Sequence, residues 1–398
     1  MTLPLSGVRV LDFSRFLPGA YFGWIAGDMG ADVIRVEHPR ELAKHEAMFG
    51  KDDDEAAARQ RRARPTYHRN KRSIVINPGH PQARTVLEPL IESADILVED
   101  YRPGTMAKMG LDYESVRRIN PQLIYGSVSF AGQTGVFSDR AGHDPAALAA
   151  AGVLSRLNGL PTPSLPGVQV ADVMSGSHAT IALLLALQAR AQTGTGSHVD
   201  VSMIDASMPL LMVGLGRAAP QDIPPPDGSW HPKGGVWQCG DGEWLCITDM
   251  EPRYWARFCE AIGRPEFAPR QFDSDAHPQM RAELTDLFAT RPRDEWVALF
   301  ESFDTQAMPV LSPAQALRHP NSRSRDMHVE LDLGDEAGSV EQIGTPFRLS
   351  DTDPLPRRAA SMPGSDRDAI LHELGIDDPA IARMDEAGIF SSIEGARG

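Results

Sequence analysis

Residues 8–37 read VRVLDFSRFLPGAYFGWIAGDMGADVIRVE. Val8 to Phe13 is a short apolar run of strand length. Pro18 to Met29 carries small and apolar residues at helical spacing and stops at Gly30. Asp32 to Glu37 is apolar again. Strand, helix and strand in so short a span are the signature of a βαβ unit.

The alternation continues outward from this unit. After a polar loop, Arg72 to Asn77 (RSIVIN) reads as a strand. His80 to Ser93 is an amphipathic helix with Val86, Leu87, Leu90 and Ile91 on one stripe. Asp95 to Glu99 (DILVE) and Leu123 to Val128 (LIYGSV) are further strands, with a helix between them after the Pro-Gly turn at Arg102 to Thr105. This order predicts a parallel sheet in an α/β fold with right-handed crossovers. Asp144 to Leu154 is an Ala-rich helix. Gly176 to Ala191 is a strongly apolar helix, expected to be buried on most sides. Val199 to Ser202 is a strand and Met203 to Gly214 a helix. Residues 1–217 thus make a large α/β domain.

A Pro- and Gly-rich stretch, 218–235, reads as a linker. Beyond it the pattern changes. Gly235 to Asp249 alternates around Asp241-Gly242, which predicts a β-hairpin. Helices follow over Pro252 to Ile262, Pro278 to Thr290 and Pro292 to Ser302. Residues 236–330 are read as a smaller α+β domain, and 331–398 as a return segment and tail packing on the large domain.

With 398 residues the chain can bury a sizeable core. Its longest uninterrupted apolar run, Ile181 to Leu187, is too short to span a bilayer, and the N-terminus lacks the basic and apolar regions of a signal peptide. Cys239, Cys246 and Cys259 show no Cys-x-x-Cys spacing, so no zinc site or disulfide framework is expected. A reduced, cytoplasmic setting fits. The net charge of −15 argues against nucleic-acid and membrane partners. An anionic ligand would need a local basic patch. Arg59, Arg61, Arg62, Arg64, Arg69, Lys71 and Arg72 supply a candidate, beside an acidic run at Asp52 to Glu55 that can also make the first of these a solvated loop.

No Walker loop, His-Glu-x-x-His or Gly-x-Ser-x-Gly motif is present. Six segments in order carry more information. They are LDFSRFLPGAY (11–21), GADVIRVEHP (30–39), NKRSI (70–74), ILVEDYRPGTMAKMG (96–110), Gly132 to Asp144, and TGTGSHVDVSMID (193–205). In sequence and spacing they resemble the class III CoA-transferase family, which includes formyl-CoA and carnitine CoA-transferases and the α-methylacyl-CoA racemases. The resemblance implies a Rossmann-like large domain, an interlocked homodimer, an acyl-CoA thioester substrate, and no metal or cofactor beyond the CoA moiety of that substrate.

Two chemistries occur in the family. In the transferases an aspartate forms an acyl anhydride and passes CoA to a carboxylic acid acceptor; the matching residue here is Asp172. In the racemases the same aspartate shares acid/base work with a histidine in Ala-Gly-His-Asp, here Ala141 to Asp144, with His143 as the histidine. A glutamate in a Glu-Pro pair supports that histidine, here Glu251. All three positions carry the racemase residue types, which favours α-epimerisation; CoA transfer and a non-catalytic CoA-binding subunit are the alternatives. The chemistry is sound: one group removes the weakly acidic α-proton on one face and another returns a proton on the opposite face. Histidine suits either role. Asp172, placed just before the apolar helix, would be held ionised by the helix N-terminus and act as base, with His143 as acid.

For CoA the resemblance implies Arg72, Lys108 and Arg140 as phosphate ligands, with the Asp100-Tyr101-Arg102 turn near the adenine or pantetheine. His38 stands where racemases often have an arginine, so Arg40 or the loop arginines are expected to compensate. The segment Trp230 to Trp237 (WHPKGGVW) resembles a loop region of the transferases.

Overall fold

The computed structural model describes residues 3–50, 54–224, 226, 234–334, 336–352 and 356–390. Parts of the expected linker, of WHPKGGVW and of the acidic run at 52–55 lie outside them. The chain divides into two units. One is Met1–Asn158, Thr162–Pro225 and Ser324–Gly398; the other is Gly159–Pro161 and Pro226–Arg323.

The first unit is built on β1 (Arg9–Asp12), β2 (Asp32–Glu37), β3 (Lys71–Val75), β4 (Ile96–Glu99), β5 (Ile124–Ser129) and β6 (His198–Ser202). All pair in parallel, in the order β3-β2-β1-β4-β5-β6. The helices are α1 (Leu17–Asp28), α2 (Pro39–Phe49), α3 (Glu55–Ala63), α4 (Arg84–Ser93), α5 (Thr105–Lys108), α6 (Tyr113–Ile119), α7 (Asp144–Ala150) and α8 (Val170–Thr193). Side chains alternate across the strands. Leu11, Ile34, Ile74 and Leu97 meet Val86, Leu87, Leu90 and Ile91 of α4, together with Ile370 and Leu371 near the C-terminus. Val10, Val33, Val98 and Ile124 meet Phe22 and Ala26 of α1 and Leu183 of α8. Each fully buried aliphatic or aromatic side chain stabilises the sheet by about 1.5–3 kcal/mol.

The strand order reverses between β1 and β4, which opens a crevice beyond the carboxyl ends of these strands. Two glycines allow close approaches to α1, one of a loop and one of α8. A Cβ on Gly19 would lie 2.3 Å from Ser14 Oγ, and one on Gly176 would lie 2.6 Å from Tyr21 Cβ and 3.0 Å from the Pro18 carbonyl oxygen. At Gly176, α8 thus lies directly against Pro18 and Tyr21 of α1.

Three expectations are corrected. The apolar helix begins at Val170 rather than Gly176, and only one side of it is covered. Val173, Ile181, Leu184 and Leu185 are exposed in the single chain. By length and composition it is apolar enough to cross a membrane, but its buried side packs on α1 and the sheet. The polar loop after β2 contains two helices. Alpha3 starts where Asp54 accepts a hydrogen bond from Ala57 N at 2.7 Å, and it lies on a hairpin, His328–Asp332 with Ser339–Ile343. There Ala63 packs with Leu331, Leu333 and Val340. Its charged composition left no apolar stripe to read. Finally, Met203 to Gly214 is not one helix. It breaks into Met203–Ser207, a 3₁₀ turn over Met208–Leu211, and Met212–Leu215, with Pro209 at the break.

The second unit carries an antiparallel sheet of Gly235–Gln238, Trp244–Ile247 and Ala307–Val310. Helices Pro252–Ala261, His277–Phe288 and Arg293–Glu301 cover it. Its core is aromatic: Trp237, Trp255, Phe258, Phe288, Trp296 and Phe300.

Candidate active site

The loops after β1 and β4 flank the crevice, and Asp100 ties them together. Its carboxylate accepts from Arg15 N at 2.9 Å and Phe16 N at 2.8 Å. Arg15 returns a hydrogen bond to the Asp100 carbonyl at 3.0 Å and lies over the Tyr101 ring at 4.1 Å. Burial pushes the Asp100 carboxyl up to about 6, against the opposing pull of Arg15. Asp100 and Tyr101 are thus held by the fold. Arg15, which the sequence reading passed over, is the cation that orders this turn.

His143 caps the start of α7 in extended backbone conformation, and its exposed ring meets the edge of Phe16 with centroids 5.9 Å apart. Asp172 is the third residue of α8. Burial raises its carboxyl to about 6. The charge of Asp144 adds to the rise, His143 opposes it, and Asp100 contributes in the upward direction. The sequence placed Asp172 before the helix and expected the free N–H groups there to hold it as an anion. The fold removes one of those donors: Asp172 N donates to Asp144 Oδ2 at 3.0 Å. Asp172 and His143 therefore belong to one electrostatic neighbourhood, although α7 and α8 are separated by a long loop.

Glu251 belongs to the second unit. It caps helix Pro252–Ala261 and accepts from Gln306 Nε2 at 3.2 Å. The neighbouring Asp249 is fully buried, accepts from Gln306 N at 2.7 Å, and is pushed up to about 6 by burial, the charge of Glu251 adding to the rise.

The basic residues separate into two groups. Arg72 sits near the start of β3, at the end of the sheet away from the crevice. Its guanidinium is taken by Asp32 at 2.6 Å and Glu373 at 2.7 Å. Carboxylates fill the geometry that a phosphate would need, so Arg72 is not brought together with His143 and Asp172. Arg69 and Lys71 are buried in ion pairs with Asp28 at 2.5 Å and Asp12 at 2.6 Å. Burial alone would raise the Asp12 carboxyl, but Lys71 and Arg35 hold it below the usual range. Arg62 is bound to Glu37 at 2.7 Å. The cluster read as an anion patch is largely consumed in the fold.

At the crevice end, Lys108 closes α5 and is exposed. Arg140 is exposed and lies over Phe137 at 4.9 Å. Arg102 donates to the Asp139 carbonyl. Arg40 is exposed in the first turn of α2, where His38 Nδ1 accepts from Arg40 N at 3.0 Å. Burial lowers the His38 imidazole, with Arg40 and Lys44 acting in the same direction and Glu41 opposing. The Arg102 turn also borders a cleft of about 270 Å³ lined by Glu99, Tyr113, Tyr125, Ser127 and His198. Among the described residues no cluster has the makings of a metal site.

Residues 5–368 match the CoA-transferase family III profile. The chain is 31% identical to an acyl-CoA transferase of Fusarium pseudograminearum, over 97% of this chain and 88% of that one. It is 29% identical to an alpha-methylacyl-CoA racemase of Mus musculus, over 98% of each. A CAIB/BAIF family protein from Brucella suis superposes with a TM-score of 0.78 at 28% identity, covering 94% of this chain and 100% of that one. The chain belongs to CoA-transferase family III, a family of enzymes that includes CoA-transferases and a racemase.

Proposed function

We propose that this protein epimerises the α-carbon of branched acyl-CoA thioesters, with Asp172 and His143 as the two proton carriers. The observation that carries the reading is the pairing of a histidine with a carboxyl raised to about 6 by burial and a neighbouring carboxylate. A fixed anion makes a poor proton donor, whereas a carboxyl poised near neutrality can serve in both directions. The substrate is an acyl-CoA whose phosphates meet Lys108, Arg140 and Arg40, the exposed cations at the crevice end of the sheet, through charge-assisted hydrogen bonds. Arg102 and the Asp100-Tyr101 turn line its path.

CoA transfer through an Asp172 anhydride is the second reading. The 31% identity with an acyl-CoA transferase favours it, and a half-buried carboxylate is a competent nucleophile once ionised. Incubation in deuterated water with a 2-methyl-branched acyl-CoA separates the two. Epimerisation puts deuterium at the α-carbon with no acceptor acid present. Transfer needs a carboxylic acid, and hydroxylamine would trap Asp172 as a hydroxamate. A hydroxamate at Asp172 without α-carbon exchange would replace the first reading by the second.

The protein is further proposed to act as a homodimer. The exposed face of α8 and the exposed Met208, Leu210, Met212, Val213 and Leu215 form an apolar surface that a single chain leaves in water.

A further inference from the structure

Asp144 is 5% exposed, yet only one of its two carboxylate oxygens has a partner. Oδ2 accepts from Asp172 N at 3.0 Å, while Oδ1 is buried with no hydrogen bond among the described residues. An unpaired buried carboxylate oxygen is costly. A cap needs only one acceptor, which a serine supplies without a second polar atom. The charge at this position therefore has a use beyond capping.

We propose that Asp144 is a positioning residue for Asp172: it occupies the backbone N–H that would stabilise the Asp172 anion, and it sets a second negative charge beside that carboxyl so that Asp172 exchanges protons rather than staying ionised. This rests on the reading of Asp172 as a proton carrier. Four groups act on or face Asp172: Asp144 and His143 at the start of α7, Asp100 after β4, and Tyr67 in the turn before β3. Asp144 and Asp100 oppose its ionisation and His143 favours it. Burial pushes the Tyr67 hydroxyl up, Arg35 opposes the rise and Asp172 adds to it, so Tyr67 stays neutral and adds no competing charge. Of the two carboxylates opposing ionisation, Asp144 is the larger influence and the one bonded to the Asp172 backbone. Asp100 is engaged by Arg15.

The test compares Asp144→Asn with Asp144→Ala. Asparagine keeps an acceptor for Asp172 N and removes the charge; alanine removes both. The Asp172 carboxyl is titrated directly by carbon NMR in protein labelled at the aspartate carboxyl carbons, its signal assigned by loss in Asp172→Asn. This readout needs no turnover, so it remains informative if epimerisation is the wrong reaction. The Asp172 midpoint should fall in Asp144→Asn by about 1 pH unit or more. In the active enzyme the acid limb of kcat/KM should move down in pH by the same amount, with thermal stability near that of the wild type. An unmoved midpoint in a folded Asp144→Asn protein overturns the proposal and leaves Asp144 as a helix cap, in which case only Asp144→Ala loses stability. Should Asp144→Asn not fold, Asp144→Ser, which also retains an acceptor, is read in the same way.

Discussion

The titration of Asp172 is set by its surroundings. A carboxyl at about 6 is mostly ionised at neutral pH and can take the α-proton, but it also returns one readily. Where Asp172 acts as base, kcat/KM should fall as pH drops through about 6, because only the ionised form accepts the proton. His143→Ala and Asp172→Asn should each lower α-proton exchange by roughly 10²–10⁴-fold. A His143→Ala enzyme that keeps exchange near the wild-type rate would remove histidine from the proton transfer. The sequence pointed to Asp172 and His143 only through the family resemblance. The protonation behaviour of Asp172 was not legible. Helix position alone pointed to a depressed carboxyl, and the opposite direction comes from burial and from Asp144, which lies far away in sequence.

At the level of elements, the sheet places ionisable groups where water is scarce. Glu99, at the carboxyl end of β4, is 3% exposed. Burial pushes it up to about 7; Ser127 and the Tyr101 N–H, which donates to it at 2.7 Å, pull the other way. A carboxyl raised in the fold above its unfolded value binds more protons folded than unfolded. Its contribution is therefore complete below the unfolded value of 4.5 and is lost as pH rises toward about 7. Glu99→Gln keeps an acceptor for Tyr101 N and loses the charge. It should raise stability at pH 8 by on the order of 1–3 kcal/mol and leave it nearly unchanged near pH 4. Denaturant melts at the two pH values check this, and equal effects at both would show that Glu99 is not ionising in the fold. Secondary structure was readable where apolar periodicity was strong, as in β2 and α4. It failed at α3, where Ala, Arg and Gln form a helix held by an Asp54 cap and by contact with a distant hairpin.

For the whole molecule, the apolar surface along α8 and residues 208–215 sets the expectation for assembly. Val173, Ile181, Leu184 and Leu185 line one side of a long helix, and a monomer would keep them hydrated. Light scattering should report a dimer at assay concentrations. Ile181→Glu together with Leu185→Glu should shift it toward smaller or aggregated species by setting charge in an apolar contact. A wild-type chain that is monomeric and fully active would discard the dimer.

The sequence by itself determined the alternation of strand and helix, and with it a parallel sheet. It also supplied, through the family resemblance, the residues proposed here as reactive. These are properties of local pattern and order. Only the tertiary structure decided what the charges do. Arg72, Arg69 and Lys71 lie in one basic run of sequence, but the fold sets each against a carboxylate from a different element, Asp32 and Glu373, Asp28, or Asp12. Asp144 meets the backbone of Asp172 across the loop between α7 and α8. Which charges remain free for a ligand, and which way a carboxyl titrates, depend on burial and on neighbours remote along the chain. Spacing in the sequence does not encode either.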